Sequence, residues 1–266
     1  MLTPDVVSGD LWGFFHASHI ATGIKAAVAV DQSELGSTAR KRLADQRFDQ
    51  APVVFQDRIV GWLLTSRLPE NQAVNTVMTP LDSSAIVSAE SSIPSVLQVL
   101  GRDNFVFTAD KDGLAGFIVP SDLDRHAVRS YFYLLVAGIE MLLSEVLKSA
   151  IPEEALVAVM HPSMRDSYNQ AHQVNIEAHP VEYLYIGQLV DLFLSTSYGK
   201  DSHLWDESLS QRLVAVQKFR NSVMHPACSV AATTPPSRAA ELASWAEEVA
   251  GRLRQMVIMP PGESNR

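Results

Sequence analysis

The chain has 266 residues, 29.2 kDa, 47% apolar and 19% charged residues, and a mean hydropathy of +0.05, which excludes a disordered or fibrous protein and suggests two domains. Acidic residues outnumber basic ones by 30 to 21, with 15 against 10 up to Arg125 and 15 against 11 after it, so neither half is a basic nucleic-acid-binding domain working by counterion release. The single cysteine, Cys228, rules out an intramolecular disulfide framework or a multi-cysteine zinc site and fits a reducing compartment, with the cytoplasm expected.

The opening MLTPDVVSGDLWGFF carries acids where a signal peptide has Lys or Arg, so no exported form is expected. Residues 1–36, with Trp12, Phe14, Phe15, His16, His19 and the apolar run Ile24–Val30, are read as the opening strand and helix of a repeat. His16 and His19 are three apart and could ligate a metal, but the chain offers no third ligand nearby, so no metal is expected.

Residues 37–68 run as a polar helical stretch, the apolar strand APVVF, a turn at Gln56-Asp57 and the segment RIVGWLLTSRL. Residues 78–123 repeat that order, with a helix in IPSVLQVLGRD, the strand NFVFTA, a turn at Asp110-Lys111-Asp112-Gly113 and LAGFIVPSDL. The first 125 residues are therefore two copies of one unit, about 1–69 and 70–125.

This pair resembles the tandem cystathionine-beta-synthase (CBS) repeat that makes a Bateman module. The likeness is carried by Val77-Met78-Thr79-Pro80, the hairpin turns, and the closing segments Gly61–Leu68 and Gly116–Leu123. It implies an adenine nucleotide, AMP, ATP or a related one, as a regulatory ligand. The family's closing Asp holds both ribose hydroxyls and its Ser or Thr sits against the phosphate. Here Asp122 fills the Asp position, Val119 stands where the hydroxyl belongs, and Ser121 is the nearest hydroxyl. In the first copy Arg67 replaces the Asp and Thr65 comes one position late, so one family-like site survives, with Asp122, Ser121 and Thr79 as its nucleotide-binding candidates. Two readings stand for Asp122: a nucleotide ligand, or a helix N-cap in a module kept for packing and dimerisation.

From residue 126 the pattern is helical, giving four to five helices separated at Ile151-Pro152, Tyr198-Gly199-Lys200 and Thr234-Pro235-Pro236. The first, about 127–150, is apolar nearly all round, which places it inside a bundle or a dimer interface, and it carries Glu140. Its apolar run, Tyr131–Leu143, is shorter than the roughly 20 residues that cross a bilayer, so no membrane span is expected. The polar segment 161–179 is long for a helix connection and is expected to be mobile or to line a cleft. His161, His172, His179 and His203 are placed in connections, without a zinc spacing.

A helix over about 207–225 puts Leu209, Leu213, Val216 and Val223 on one stripe, with Arg220 near its centre. An arginine there needs a carboxylate or phosphate partner. Asn221 and His225 lie one turn apart, and Pro226 puts His225 at the helix end. Cys228 has no base positioned for it and is read as a buried or partly buried thiol.

The run Arg220-Asn221-Ser222-Val223-Met224-His225 resembles the motif of HEPN (higher eukaryote and prokaryote nucleotide-binding) domains, over about residues 126–258, with 259–266 a flexible tail. A final amphipathic helix carrying Leu242, Trp245, Val249, Leu253 and Met256 agrees with it. The fold expected is thus α/β plus all-α. The resemblance implies a metal-independent endoribonuclease, a toxin or defence effector working as a homodimer through HEPN and CBS surfaces, with RNA as substrate. A silencing antitoxin is a further partner it allows. His225 would transfer protons, Arg220 bind the scissile phosphate, Asn221 orient either, and Glu140 hold Arg220. No cofactor is required. The competing readings are that Arg220 and Glu140 simply tie two helices together, and that the chain is a non-catalytic nucleotide-sensing or scaffolding homodimer with a protein partner.

Overall fold

A computed structural model describes residues 14–258 apart from 175, 201–202 and 226, so Trp12, Pro226 and the tail 259–266 lie outside the described residues. Contacts divide the chain into one unit of residues 1–128 with 234–239 and another of 129–233 with 240–266.

The first unit holds two four-stranded sheets. Its elements are β1 (Thr22–Gly23), β2 (Val30–Asp31), α1 (Gly36–Asp45), β3 (Gln50–Phe55), β4 (Arg58–Leu64), β5 (Thr79–Pro80), β6 (Ile86–Ser88), α2 (Ile93–Asp103), β7 (Val106–Asp110) and β8 (Gly113–Ile118). One sheet runs β2-β3-β4-β5 and the other β1-β8-β7-β6. In each, a short strand pairs in parallel with the strand that follows its helix, β2 with β3 and β6 with β7. A two-residue hairpin closes each: Phe55 pairs with Arg58 and Asp110 with Gly113. Gln56 and Asp57 both have positive φ, 49° and 61°, the mirror-image turn that matches strand twist.

The repeat is exact enough to include its irregularities, with a bulge between Val53 and Val54 and another between Thr108 and Ala109. The edge strands are exchanged. β5, which opens the second copy, pairs with β4 of the first through Gly61–Pro80 and Trp62–Thr79, while β1, from the first copy, pairs with β8 of the second through Phe117–Thr22 and Gly116–Gly23. Two cores follow: an aliphatic one under α1 containing Leu43, Val53 and Leu63, and an aromatic one in which Trp62 and Phe117 each stack on Phe105 at 5.1 and 5.5 Å. The helix expected before residue 36 is absent among the described residues; two single 3-10 turns, Ala17–His19 and Ile24–Ala26, occupy that stretch, too short to propagate between the strand pairings that bracket them.

The second unit is helical: α3 (His126–Ala150), α4 (Glu153–Val159), α5 (Pro162–Gln173), α6 (Ile186–Ser195), α7 (Ser197–Lys200), α8 (Glu207–Met224), α9 (Val230–Thr233) and α10 (Pro236–Ile258), more elements than the sequence suggests. The polar segment 161–179 is largely helix, with Pro162 at its first position and His172 in its last turn, because that proline is compatible with a helix start and Ala171 is buried. Along α3, Val128, Tyr131, Phe132, Leu135, Ile139, Leu143 and Leu147 are buried while Tyr133 and Met141 are exposed, so the helix is apolar all round but buried on one side. By length and composition α3 could cross a membrane, contrary to the short run read from the sequence, and 56% of its apolar window is buried within the protein. Phe132 meets Phe219 of α8 edge-on at 4.9 Å.

Candidate functional site

In the first unit, Asp122 lies in the 3-10 turn Pro120–Asp124 that follows β8, and is 6% exposed. One oxygen accepts from the Val119 N–H at 2.8 Å and the other from Arg125 Nε at 2.6 Å. Burial pushes the Asp122 carboxyl up, against the Val119 and Arg125 hydrogen bonds that lower it. Arg125 also donates to Thr22 Oγ1 at 2.7 Å. Asp122 is thus the third residue of its turn, reaching back to the backbone of the N-cap residue Val119, and not the N-cap itself; a carboxylate offers about four acceptor positions, of which these two bonds use two.

Asp122 and Arg125 line a cleft of about 500 Å³. Ala26, Ala27, Val28, Pro52 and the 43% exposed Phe48 contribute apolar lining, and Arg47, Asp49 and Ser121 contribute charged and polar groups. A cleft that mixes apolar lining with a buried carboxylate and two arginines suits a partly polar, anionic ligand carrying hydroxyls.

Ser121 lines the cleft, as expected of it, but Thr79 does not. Strand exchange explains the difference: Thr79 pairs with Trp62 in the sheet of the first copy, and Thr22 takes the equivalent place beside β8, within reach of Arg125. Phe48 escaped the sequence reading because nothing in its local pattern places it at the Asp122 cleft.

In the helical unit, Asp206 caps α8 by accepting from the Leu209 N–H at 2.8 Å, and Leu209, Leu213, Val216, Phe219 and Val223 are buried. Arg220 Nε lies 3.3 Å from Glu140 Oε1, the two side chains 29% and 28% exposed. The Nε–H is buried and poorly aimed, so the contact is an ion pair at the margin of hydrogen-bonding geometry. Burial raises the Glu140 carboxyl, and the Arg220 charge opposes it. Both side chains line a cavity of about 400 Å³ with Lys148, Tyr185 and Glu182.

Asn221 and His225 are exposed and do not line that cavity; within one chain the structure joins Glu140 to Arg220 but not Arg220 to His225. His225 is the residue after α8, with extended φ and ψ of −97° and 103°. Arg129 holds this end: its guanidinium donates to the carbonyls of His225 and Cys228, each at 2.8 Å, and to those of Val223 and Ser222 at 3.3 and 3.4 Å. A cation on the unsatisfied carbonyls of a helix C-terminus neutralises its partial negative charge. Arg129 was missed in the sequence because it is nearly a hundred residues away. Cys228 is exposed rather than buried, since its turn presents its carbonyl inward to Arg129.

Among the described residues no group of three or more His, Cys, Asp or Glu is placed to hold a metal ion. His16 and His19 contact each other instead: the His16 N–H donates to His19 Nδ1 at 3.1 Å.

Solved structures similar to this chain match less than half of its length. Those structures are CBS domain proteins. A CBS domain of the bacterial CNNM/CorC family Mg2+ transporter, in complex with ATP, is 19% identical over 47% of this chain and 94% of its own, with a TM-score of 0.40. CBSX2 in complex with AMP, a CBS-pair protein known from Arabidopsis thaliana, is 18% identical over 44% of this chain and 98% of its own, at 0.39. A hemolysin-like CBS protein of Oenococcus oeni PSU is 18% identical over 41% and 86%, at 0.37. No protein-family model and no curated protein matches the chain. At these TM-scores the weight rests on the chain's own duplicated registers and exchanged strands.

Proposed function

We propose that the first unit is a CBS-type pair that senses an adenine nucleotide in the Asp122 cleft and that the helical unit is the part it regulates. The observation that carries this reading is the asymmetry of the pair. Of two equivalent closing segments, the one with an acid at the ribose-holding position has that acid buried and lining a cleft. The other has Arg67 there. The ribose hydroxyls would donate to the two free acceptor positions of Asp122, and Arg125 would turn towards the phosphate. AMP and ATP bound to the similar CBS proteins point the same way. Titration calorimetry of the full chain with AMP and ATP tests it: binding that Asp122→Ala abolishes is expected, and no heat and no thermal shift at millimolar nucleotide would end the reading.

For the helical unit the proposal is a HEPN-type, metal-independent endoribonuclease, in a cytoplasmic homodimer whose toxin or defence activity an antitoxin protein restrains. What favours it is an exposed His225 whose backbone is fixed by Arg129, one turn from Asn221. Two chains would be needed to bring one Arg220 near the other His225, and exposed Tyr133 and Met141 offer surface for a second copy. The non-catalytic reading, a nucleotide-sensing scaffold with a protein partner, is favoured by the engagement of Arg220 with Glu140 away from His225. Incubation with mixed RNA in EDTA separates them: cleavage by the wild type and not by His225→Ala supports the nuclease, and intact RNA in both supports the scaffold.

The route from nucleotide to nuclease would be α3, which starts directly after Arg125 and carries Arg129 in its first turn. Nucleotide that alters cleavage in the wild type should leave it unaltered in Asp122→Ala.

A further inference from the structure

Thr234–Ala239 come late in the chain, yet they cluster with the first 128 residues as part of the first unit. Pro236 opens α10, the Ala239 N–H donates to the Pro235 carbonyl at 2.9 Å, and Thr234, Pro236 and Ala239 are buried. From residue 240 the same unbroken helix belongs to the helical unit, where its Glu247 accepts from the Tyr131 hydroxyl of α3. α10 is therefore one helix with its first turn in one unit and its remainder in the other.

That first turn meets α2. Gly101 lies in the last turn of α2, and a Cβ on it would stand 2.9 Å from Ser237 Cα, 3.2 Å from Ser237 N and 3.3 Å from the Pro236 carbonyl oxygen, all backbone atoms. Nothing in the backbone of α2 asks for glycine at this position. The left-handed residue that ends the helix is Asn104, with φ of 56°, and glycine within a helix is less favourable than alanine. The neighbour explains the residue: without a side chain, two backbones can approach this closely. The first copy differs, because in α1 the residue that follows buried Leu43, as Gly101 follows buried Leu100, is an exposed Ala44. The second copy, which carries Asp122 and leads directly into α3, thus receives α10 as well.

We infer that the first turn of α10 is a latch: seated on Gly101, it opens and closes with the first unit and passes the stability of that unit to the last helix of the other. Helix formation is cooperative, so a first turn held in place protects the turn after it, and one set loose frays. Whatever binds and stabilises the first unit tightens the latch with it. A nucleotide in the Asp122 cleft would be one such ligand, but the inference does not rest on it.

The test is native-state hydrogen exchange of the full chain, read at three places: amides 239–241 at the latch, the paired strands β7 and β8 as a report on the first unit, and amides 246–253 farther along α10. Gly23→Ala, with nothing within 4 Å of the new Cβ, stabilises the first unit through the unfolded chain. It should slow exchange at the strands and at 239–241 together, by about two- to fivefold, with 246–253 unchanged. Gly61→Ala, whose Cβ would stand 2.3 Å from the Thr79 carbonyl oxygen, should speed both by about tenfold or more, again without the far amides. Gly101→Ala should separate them: 239–241 exchange about tenfold faster while β7 and β8 keep their rates, since alanine suits α2 itself. Amides 239–241 that follow 246–253 rather than the strands overturn the inference, and so does a Gly101→Ala protein in which they exchange as in the wild type. Equal movement at all three places in Gly23→Ala overturns it as well, because a chain that opens as one needs no latch. Gly23→Ala removes no contact, so the test stands whether or not the other two variants fold.

Discussion

Gly61→Ala should destabilise the first unit through a contact that the strand exchange makes unavoidable. A Cβ built on Gly61 would stand 2.3 Å from the Thr79 carbonyl oxygen and 3.1 Å from its carbon, both backbone atoms of β5. Ordinary C···O contacts begin at about 3.3 Å, so β5 would have to retreat by roughly 1 Å. That strand is two residues long, paired through Gly61–Pro80 and Trp62–Thr79 with the Leu81 N–H donating to the Val60 carbonyl at 2.8 Å just beyond, so it cannot retreat and stay paired. Overpacking costs about 1–3 kcal/mol and each lost ladder hydrogen bond about 1 more, for a total of about 2–4 kcal/mol. At roughly 2–4 °C per kcal/mol for a chain of this size, the melting midpoint should fall by about 5–15 °C in calorimetry. Gly116 is the equivalent site, where the Thr22 oxygen would lie at 2.7 Å, and Gly116→Ala should cost somewhat less. Gly23→Ala is the control: nothing lies within 4 Å and its φ of −59° is open to alanine, so a gain of about 0.4–1 kcal/mol is expected from the stiffer unfolded chain. An unchanged midpoint in Gly61→Ala, or an equal loss in Gly23→Ala, would refute the role given to the exchanged strands.

Glu247 accepts from the buried Tyr131 hydroxyl at 3.1 Å, and burial raises its carboxyl against the pull of that bond and of Arg254. A raised folded pKa means full stability below the unfolded value and loss as pH rises through the folded one, so Glu247→Gln should flatten the fall in stability above about pH 4.5, measured by urea unfolding across pH. Arg129→Ala should destabilise the helical unit by about 1–3 kcal/mol, since a charged donor leaves the carbonyls of Val223, His225 and Cys228; with the nuclease assay positive, it should also cut cleavage, while far-UV circular dichroism stays native. A double-mutant cycle of Glu140→Gln and Arg220→Gln should give a coupling of about 1 kcal/mol or less, because both partners are more than a quarter exposed.

What the sequence made legible is what repeats in it. The hairpin turns, the period of the two copies and the glycines Gly61 and Gly116 are local signals, and turn chemistry plus alternation is enough to place them. The exchange of edge strands is not local, and it is why Thr79 was matched to the wrong cleft and why Thr22 went unnoticed. In the helical unit the stripe of α8 and the Arg220–Glu140 pair followed from the helical period and from the rarity of a lone half-buried arginine. Segment 161–179 was read as a connection because its polar residues leave a weak stripe, although a proline at the first helical position was available as a start signal. Phe48 and Arg129 share one reason for being invisible: what each meets, the Asp122 cleft and the end of α8, comes from far away in the chain.

The positions of Arg125 and Arg129 bear on how one half of this chain could report to the other. Arg125 is bonded to Asp122 and Thr22 in the Asp122 cleft, and Arg129, four residues on, is bonded to the carbonyls that end α8. Residues 126–129 form the first turn of α3, so there is almost no slack in the chain between the two guanidinium-bearing residues. A ligand that draws Arg125 off Asp122 changes what anchors the start of that turn, and the segment holding His225 hangs from its other end. Coupling by this route needs a difference in affinity between two states of the turn, and it has a signature. Lengthening the link by one residue between Arg125 and His126 should leave nucleotide binding intact, because Asp122, Thr22 and Arg125 keep their places. It should uncouple that binding from any effect on the hydrogen-exchange protection of the Val223–His225 amides. Nucleotide-dependent protection that survives the insertion would mean the signal travels elsewhere.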